Sequence, residues 1–166
     1  MDQLSEDRKI VRLEETESTN SCLKELLRTE HLEEGSVVVA DFQTAGRGQM
    51  GNSWYSTKGD NLLFSLLIYP IEIPANEQFI ISRIISLAIK NTLDQFTDDI
   101  RIKWPNDIYW KDRKIAGILI ENSLQGKIIE NSIIGIGLNL NQQVFPPELP
   151  NPVSLRQITA TEQDKD

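Results

Sequence analysis

Lys114 opens the apolar run Arg113-Lys114-Ile115-Ala116-Gly117-Ile118-Leu119-Ile120-Glu121. A lysine at the mouth of a buried strand can reach inward to a phosphate. A glycine inside a strand, here Gly117, marks close approach by a ligand or another backbone. In Gln43-Thr44-Ala45-Gly46-Arg47-Gly48-Gln49-Met50-Gly51, three of the chain's nine glycines fall within six residues. Amides in such a loop can converge on an anion, and Arg47 adds a planar cationic fork; a flexible turn is the plainer reading. In Lys103-Trp104-Pro105-Asn106-Asp107, the proline holds Trp104 out of helical geometry. Asn106 and Asp107 then offer oxygens suited to a hard cation or a ribose hydroxyl, or simply form an Asx turn between strands. Gly135 and Gly137 lie two apart, on one face of a strand, and leave either a slot for a flat ring or a site of tight packing. Together these pieces suit activation of a small carboxylic acid by a nucleotide. The carboxylate must attack an α-phosphate against like-charge repulsion, which lysine, arginine and Mg2+ offset.

The glycine loop is not one of two common phosphate loops. It lacks the Gly-Lys-Ser/Thr ending of a Walker loop, and it has neither the strand-to-helix setting nor the later acid of a dinucleotide fingerprint. Composition excludes more. The 166 residues fit one domain. With 17 basic against 25 acidic side chains the net charge is −8, against a dedicated nucleic-acid binder, which needs a basic face. The charge is uneven, with six basic residues in 101–127 (Arg101, Lys103, Lys111, Arg113, Lys114, Lys127) against Asp107, Asp112 and Glu121. No apolar run approaches the ~20 residues of a membrane span, and the N-terminal residues have no secretory pattern. Cys22 is the single cysteine, so no internal disulfide forms and a reducing, cytoplasmic location is expected. Cys22 and the single histidine, His31, cannot build a zinc cluster.

The elements that must position these residues follow from periodicity. Ile10–Leu13 reads as a short strand. Ser18-Thr19-Asn20 is rich in capping residues and precedes Cys22, Leu23, Leu26 and Leu27 at helical spacing. Residues 37–40 and 61–69 read as strands, and about 77–96 as the longest helix. Strands at 100–104, 108–110, 114–124 and 127–139 follow as hairpins. Pro146, Pro147, Pro150 and Pro152 mark a loop or linker, and Ser154 a helix start. The expectation is α+β, with a mixed, largely antiparallel sheet and helices packed on one face.

The motifs resemble those of the biotin–protein ligase (biotin–acetyl-CoA-carboxylase ligase) family. The matching pieces, in family order, are Glu17-Ser18-Thr19-Asn20, Gln43-Thr44-Ala45-Gly46-Arg47-Gly48, Trp54-Tyr55-Ser56, Asn61-Leu62-Leu63-Phe64-Ser65, Lys103-Trp104-Pro105-Asn106-Asp107, the run Arg113 to Glu121, and Gly135-Ile136-Gly137-Leu138-Asn139. The resemblance implies a fold like that of class II aminoacyl-tRNA synthetases and two reactions. Biotin and ATP give biotinyl-5′-AMP and pyrophosphate, and the biotinyl group then passes to one lysine of a biotin carboxyl carrier protein. By position it implies Lys114, Arg47 and Asp107 as catalytic. It implies Ser18, Thr19, Gln43, Gly46, Arg47, Lys114 and Gly117 around biotin. Arg47, Gly48, Trp54, Asn106, Lys114 and Asn139 fall around the nucleotide, with Mg2+ carried on the ATP phosphates.

Three departures accompany the resemblance. Gln49 stands where the family usually has a basic residue. The chain before residue 11 is short for the DNA-binding domain of some members, so no DNA partner is expected. The family's C-terminal small β-barrel domain is not found, so residues 1–166 are expected to be a single, truncated catalytic domain. A homodimer is left open. The rival readings are a lipoate–protein ligase or octanoyltransferase relative, and a non-catalytic biotin-binding fragment.

Overall fold

A computed structural model describes residues 8–165. Seven strands form one sheet: β1 (Ile10–Leu13), β2 (Val37–Ala40), β3 (Leu62–Ile68), β4 (Ile100–Lys103), β5 (Asp107–Trp110), β6 (Arg113–Gln125) and β7 (Ile128–Leu138). Their order across the sheet is β1-β2-β3-β7-β6-β5-β4, with β1 and β2 parallel and every other pair antiparallel. The helices are α1 (Thr19–Thr29), α2 (Phe79–Leu93) and the short α3 (Leu155–Thr159). The mixed α+β architecture is the expected one. α1 stops at Thr29, short of Gly35, and Ser154 caps α3 with a complete capping box.

The helices divide between the two faces of the sheet, which corrects the expectation of a single covered face. Successive strand residues point to opposite sides. α1 buries Leu23 against Val38, Leu67 and Ile133. α2 lies on the other side, where Ile81 and Leu93 join Ile118, Ile134 and Ile136 in the larger core. Gln78, just before α2, accepts a hydrogen bond from Asn122 Nδ2, and Asn122 pairs across the ladder with Ser132, on the Ile134 side. The sequence pattern hid this because β6 and β7 are apolar on both faces and so carry no period-2 signal.

The α1 face is the unusual one. Gly117 is the Cα partner of Gly137, and Leu119 of Gly135. Two other parts of the chain occupy the space above these glycines. A Cβ on Gly135 would overlap Asn20 Oδ1, one on Gly137 would overlap the indole of Trp54, and one on Gly117 would sit 2.8 Å from Trp54 Cζ3. The slot inferred from sequence is therefore real, and a flat ring of the protein itself lies in it.

Two substitutions separate the faces. Ile134 is fully buried beneath the α2 side, and Ile134→Ala is expected to lower stability by about 3 kcal/mol. Gly137→Ala pushes against Trp54 and is expected to cost about 1–3 kcal/mol by overpacking. Urea unfolding measures both; a loss under about 0.5 kcal/mol in either would misplace that residue.

Candidate active site

The site lies on the α1 face, and three chain segments build it. At the N-terminus of α1, Ser18 and Thr19 are almost completely buried. The Thr19 amide donates to Gln43 Oε1 at 2.8 Å, and Thr19 Oγ1 lies 3.1 Å from the same oxygen. Gln43 begins the glycine loop, which folds back on itself as a tight hairpin. Trp54 N–H donates to the Gly46 carbonyl at 2.8 Å, and Gly48 N–H to the Asn52 carbonyl at 2.6 Å. This closure delivers Trp54 to the bare faces of Gly117 and Gly137. Gly46 itself is buried, with space for no side chain because the Trp54 carbonyl stands 2.6 Å from where its Cβ would be.

The third segment is the start of β6. Lys114 Nζ lies 2.8 Å from Asp107 Oδ1 and 5.5 Å from the centroid of the Trp54 ring. Both ionic side chains are largely shielded from solvent, at 30% and 24% exposure. Asp107 is delivered by the corner after Trp104-Pro105, whose peptide bond is cis. Asn106 fastens that corner to β6: its Nδ2 donates to the Ile118 carbonyl at 2.7 Å, and its carbonyl accepts from Ile118 N–H at 3.0 Å. Trp104 is not part of the pocket; its ring is 74% exposed and lies 6.0 Å from Phe79.

Two cavities meet at Trp54 and Lys114. The first, about 260 Å3, is lined by Ser18, Thr19, Gln43, Arg47 and Gly48 at one end and by Asn106, Asp107, Lys114 and the backbone of Gly117 and Gly137 at the other. The second, about 370 Å3, is lined by Trp54, Lys114, Asn139, Phe145, Leu149 and Pro152. Trp54 Nε1 is buried without a hydrogen-bond partner among the described residues. An unpaired buried N–H costs about 1–3 kcal/mol; here it is packed over the bare backbone of Gly137, whose Cβ would stand 2.6 Å from it.

The sequence candidates thus converge, with distinctions. Ser18, Thr19, Gln43, Arg47, Gly48, Trp54, Asn106, Asp107, Lys114 and Gly117 line the first cavity, while Asn139 lines only the second. Gly46 lies behind the wall and supports Trp54. Arg47 is already engaged: its guanidinium grips both oxygens of Glu121 at 3.2 and 2.9 Å. Gln49 opens a short 3-10 turn on the rim of the first cavity.

Several contributors were not singled out from sequence. Glu121 binds Arg47 and Asn20. Burial alone would raise its carboxyl pKa, but hydrogen bonds from Asn20 and Arg47 and the positive charges of Arg47 and Lys24 bring it below the ordinary glutamate value. It is therefore ionised throughout the neutral range. Ser65 is fully buried between Thr19 and Asn20. The proline-rich segment, read as a loop or linker, walls the second cavity. No local signal could place it there, because only the fold brings it beside Lys114.

For a metal, no cluster of three His, Cys, Asp or Glu side chains exists among the described residues. The first cavity offers the Asp107 carboxylate and the Asn106 amide oxygen. That sparse set does not cage an ion, but it fits Mg2+ brought in on phosphates, which needs only one or two protein carboxylates.

Comparison with known proteins agrees with this geometry. Residues 13–139 match the model of the Biotin/lipoate A/B protein ligase family. The chain is 40% identical over 119 residues to the bifunctional ligase/repressor BirA of Bacillus subtilis, covering 70% of this chain and 36% of that protein. To BirA of Escherichia coli it is 38% identical over 126 residues, covering 75% and 38%. It thus spans little more than a third of the length of these relatives. Among solved structures, the biotin protein ligase of Aquifex aeolicus in complex with biotin and ATP superposes with a TM-score of 0.80 at 33% identity, over 95% of this chain and 63% of that one. The ligase of Leishmania major in complex with biotin gives 0.77 at 26% identity, over 95% and 68%. On a match of this extent, the chain belongs to the biotin/lipoate A/B protein ligase family.

Proposed function

We propose that this chain carries the site at which a biotin–protein ligase condenses biotin with ATP and passes the product to a carrier lysine. The observation that carries the reading is the meeting of two cavities at Lys114 and Trp54. One cavity has a polar end at Thr19 and Gln43, suited to a cyclic urea, and apolar lining from Trp54 and Leu119. The other has the Asn139 amide and apolar walls, suited to a nucleoside. A carboxylate reaching along the first meets an α-phosphate reaching from the second beside Lys114.

In the first step the biotin carboxylate oxygen attacks the α-phosphorus, and the bond to the bridging oxygen of pyrophosphate breaks. Lys114 balances the negative charge gathered on the carboxylate and the phosphoryl oxygens. Asp107 holds the ammonium in place, so little reorganisation is needed during reaction. Mg2+ carried in on the ATP phosphates would supply further charge neutralisation for the leaving pyrophosphate, and Asp107 is the carboxylate that would face it. In the second step a neutral lysine amine of a biotin carboxyl carrier protein attacks the acyl carbon. AMP leaves, and the amine proton passes to solvent or to Asp107.

Calorimetry with biotin and with lipoate tests the substrate class. Biotin is expected to bind and lipoate not to; the reverse would make the chain a lipoate-handling member of the same family. Biotin binding without biotin-dependent pyrophosphate release from ATP would indicate a binding fragment. Lys114→Ala is expected to slow biotin-dependent pyrophosphate exchange by about 10²–10³-fold, as loss of one transition-state stabiliser does. A near-normal rate would remove Lys114 from the chemistry.

A further inference from the structure

Asn20, Ser65 and Glu121 touch none of the reacting atoms in the steps above, yet they join the two ends of the site. Asn20 is 2% exposed. Its Nδ2 donates to the Leu119 carbonyl at 3.3 Å and to Glu121 Oε2 at 2.7 Å. Two acceptors on that nitrogen fix the amide orientation and leave Oδ1 facing Ser65 Oγ at 2.5 Å. Oδ1 carries no proton, so Ser65 donates to it. Ser65 has one proton, so its 2.7 Å contact with Thr19 Oγ1 takes the Thr19 proton in preference to the longer, 3.1 Å approach of Thr19 Oγ1 to Gln43 Oε1. Donor direction runs one way, from Thr19 to Ser65 to Asn20 to Glu121. Thr19 Oγ1 is left with its lone pairs for whatever enters the first cavity, while Gln43 Oε1 keeps the Thr19 amide.

The end of this chain is also the anchor of the loop. The Glu121 carboxylate takes both terminal nitrogens of Arg47, and Arg47 Nη2 reaches Ser21 Oγ at 3.3 Å. Exposed ion pairs contribute little. This one is two-pronged, its carboxylate is 29% exposed, and Asn20 holds that carboxylate in place, the conditions under which such a pair fixes geometry.

We propose that Glu121 is a positioning residue that couples the two ends of the site. It pins the Arg47 loop over the first cavity, and it terminates the hydrogen-bond chain that presents Thr19 as an acceptor for a ligand N–H. The loop-anchoring half stands on the structure alone; the ligand half rests on the reading that the ligand is biotin, whose ring N–H groups are donors.

The test is amide hydrogen exchange on ligand-free protein, paired with biotin calorimetry. The Ala45, Gly48 and Trp54 amides are bonded within or beneath the loop and report on it. Glu121→Gln is expected to speed their exchange about tenfold with β6 and β7 unchanged. Arg47→Gln, on the exposed loop, is expected to do the same, and the double variant no more than either. Arg47→Lys, which keeps the charge but loses the fork, is expected to fall between. Unchanged loop exchange in Glu121→Gln, or effects that add in the double variant or spread through the sheet, would overturn the anchor. If Glu121→Gln does not fold, unchanged exchange in Arg47→Gln overturns it equally. Biotin affinity is expected to fall about tenfold in Glu121→Gln; wild-type affinity in a variant with a loosened loop would overturn the link to Thr19. Failure of the unsubstituted chain to bind biotin would count against the functional reading, while the exchange measurements still decide the anchor.

Discussion

Two facing glycines on adjacent strands leave a patch of sheet without side chains. Gly117 and Gly137 make such a gap on the α1 face, and Gly135 extends it toward Asn20. Close packing is the rule in protein interiors, so the gap recruits whatever can reach it. Trp54 reaches it because the glycine loop closes as a hairpin, and Asn20 because α1 begins above it. The loop conformation, the partition into two cavities and the position of Lys114 beside the indole all follow from that steric vacancy. A methyl group on these strands would expel the very groups that define the site.

Charge follows a parallel logic. An acidic protein places its cations at this site in pairs with carboxylates, Lys114 with Asp107 and Arg47 with Glu121. Half-buried charges left unpaired would pay desolvation without return, so each cation is neutralised and oriented by its carboxylate. The two pairs differ in consequence. Lys114 stands between the cavities, where an entering carboxylate and phosphate compete with Asp107 for it. Arg47 is held by a carboxylate whose other contacts are internal, so its pairing fixes the loop in place.

How much of this was legible in the sequence depended on how local the cause was. Strands β1 to β3 and the β6–β7 hairpin follow from apolar runs and turn residues. The shared face of Gly135 and Gly137 follows from their spacing. The occupant of the slot was not legible, because Trp54 lies far away along the chain and its approach depends on the fold of residues 46–54. Glu121 ends an apolar run and reads as a surface charge; only the register that sets it opposite Ile133, under Asn20, gives it partners. The division of helices between the faces was hidden because Ile118, Leu119 and Ile120 offer either side of the sheet an apolar surface.

The proline segment carries the same lesson to the lysine itself. Lys114 N–H donates to the Asn151 carbonyl at 2.8 Å, and its carbonyl accepts from Val153 N–H at 2.9 Å. Arg113 adds a bond to the Pro152 carbonyl at 3.0 Å. The segment thus straps the first residues of β6 from outside the sheet, where a β-bulge at Ile108/Tyr109 disturbs the β5–β6 ladder. Pro150 and Pro152 have restricted φ and little freedom to lose on docking, so the strap costs less entropy than a flexible one would. A lysine side chain carries much rotamer freedom. Fixing its backbone on one side and its ammonium on Asp107 removes most of that freedom before any ligand arrives. A stretch that composition marks as a linker therefore serves to hold the position from which a single positive charge can face both cavities.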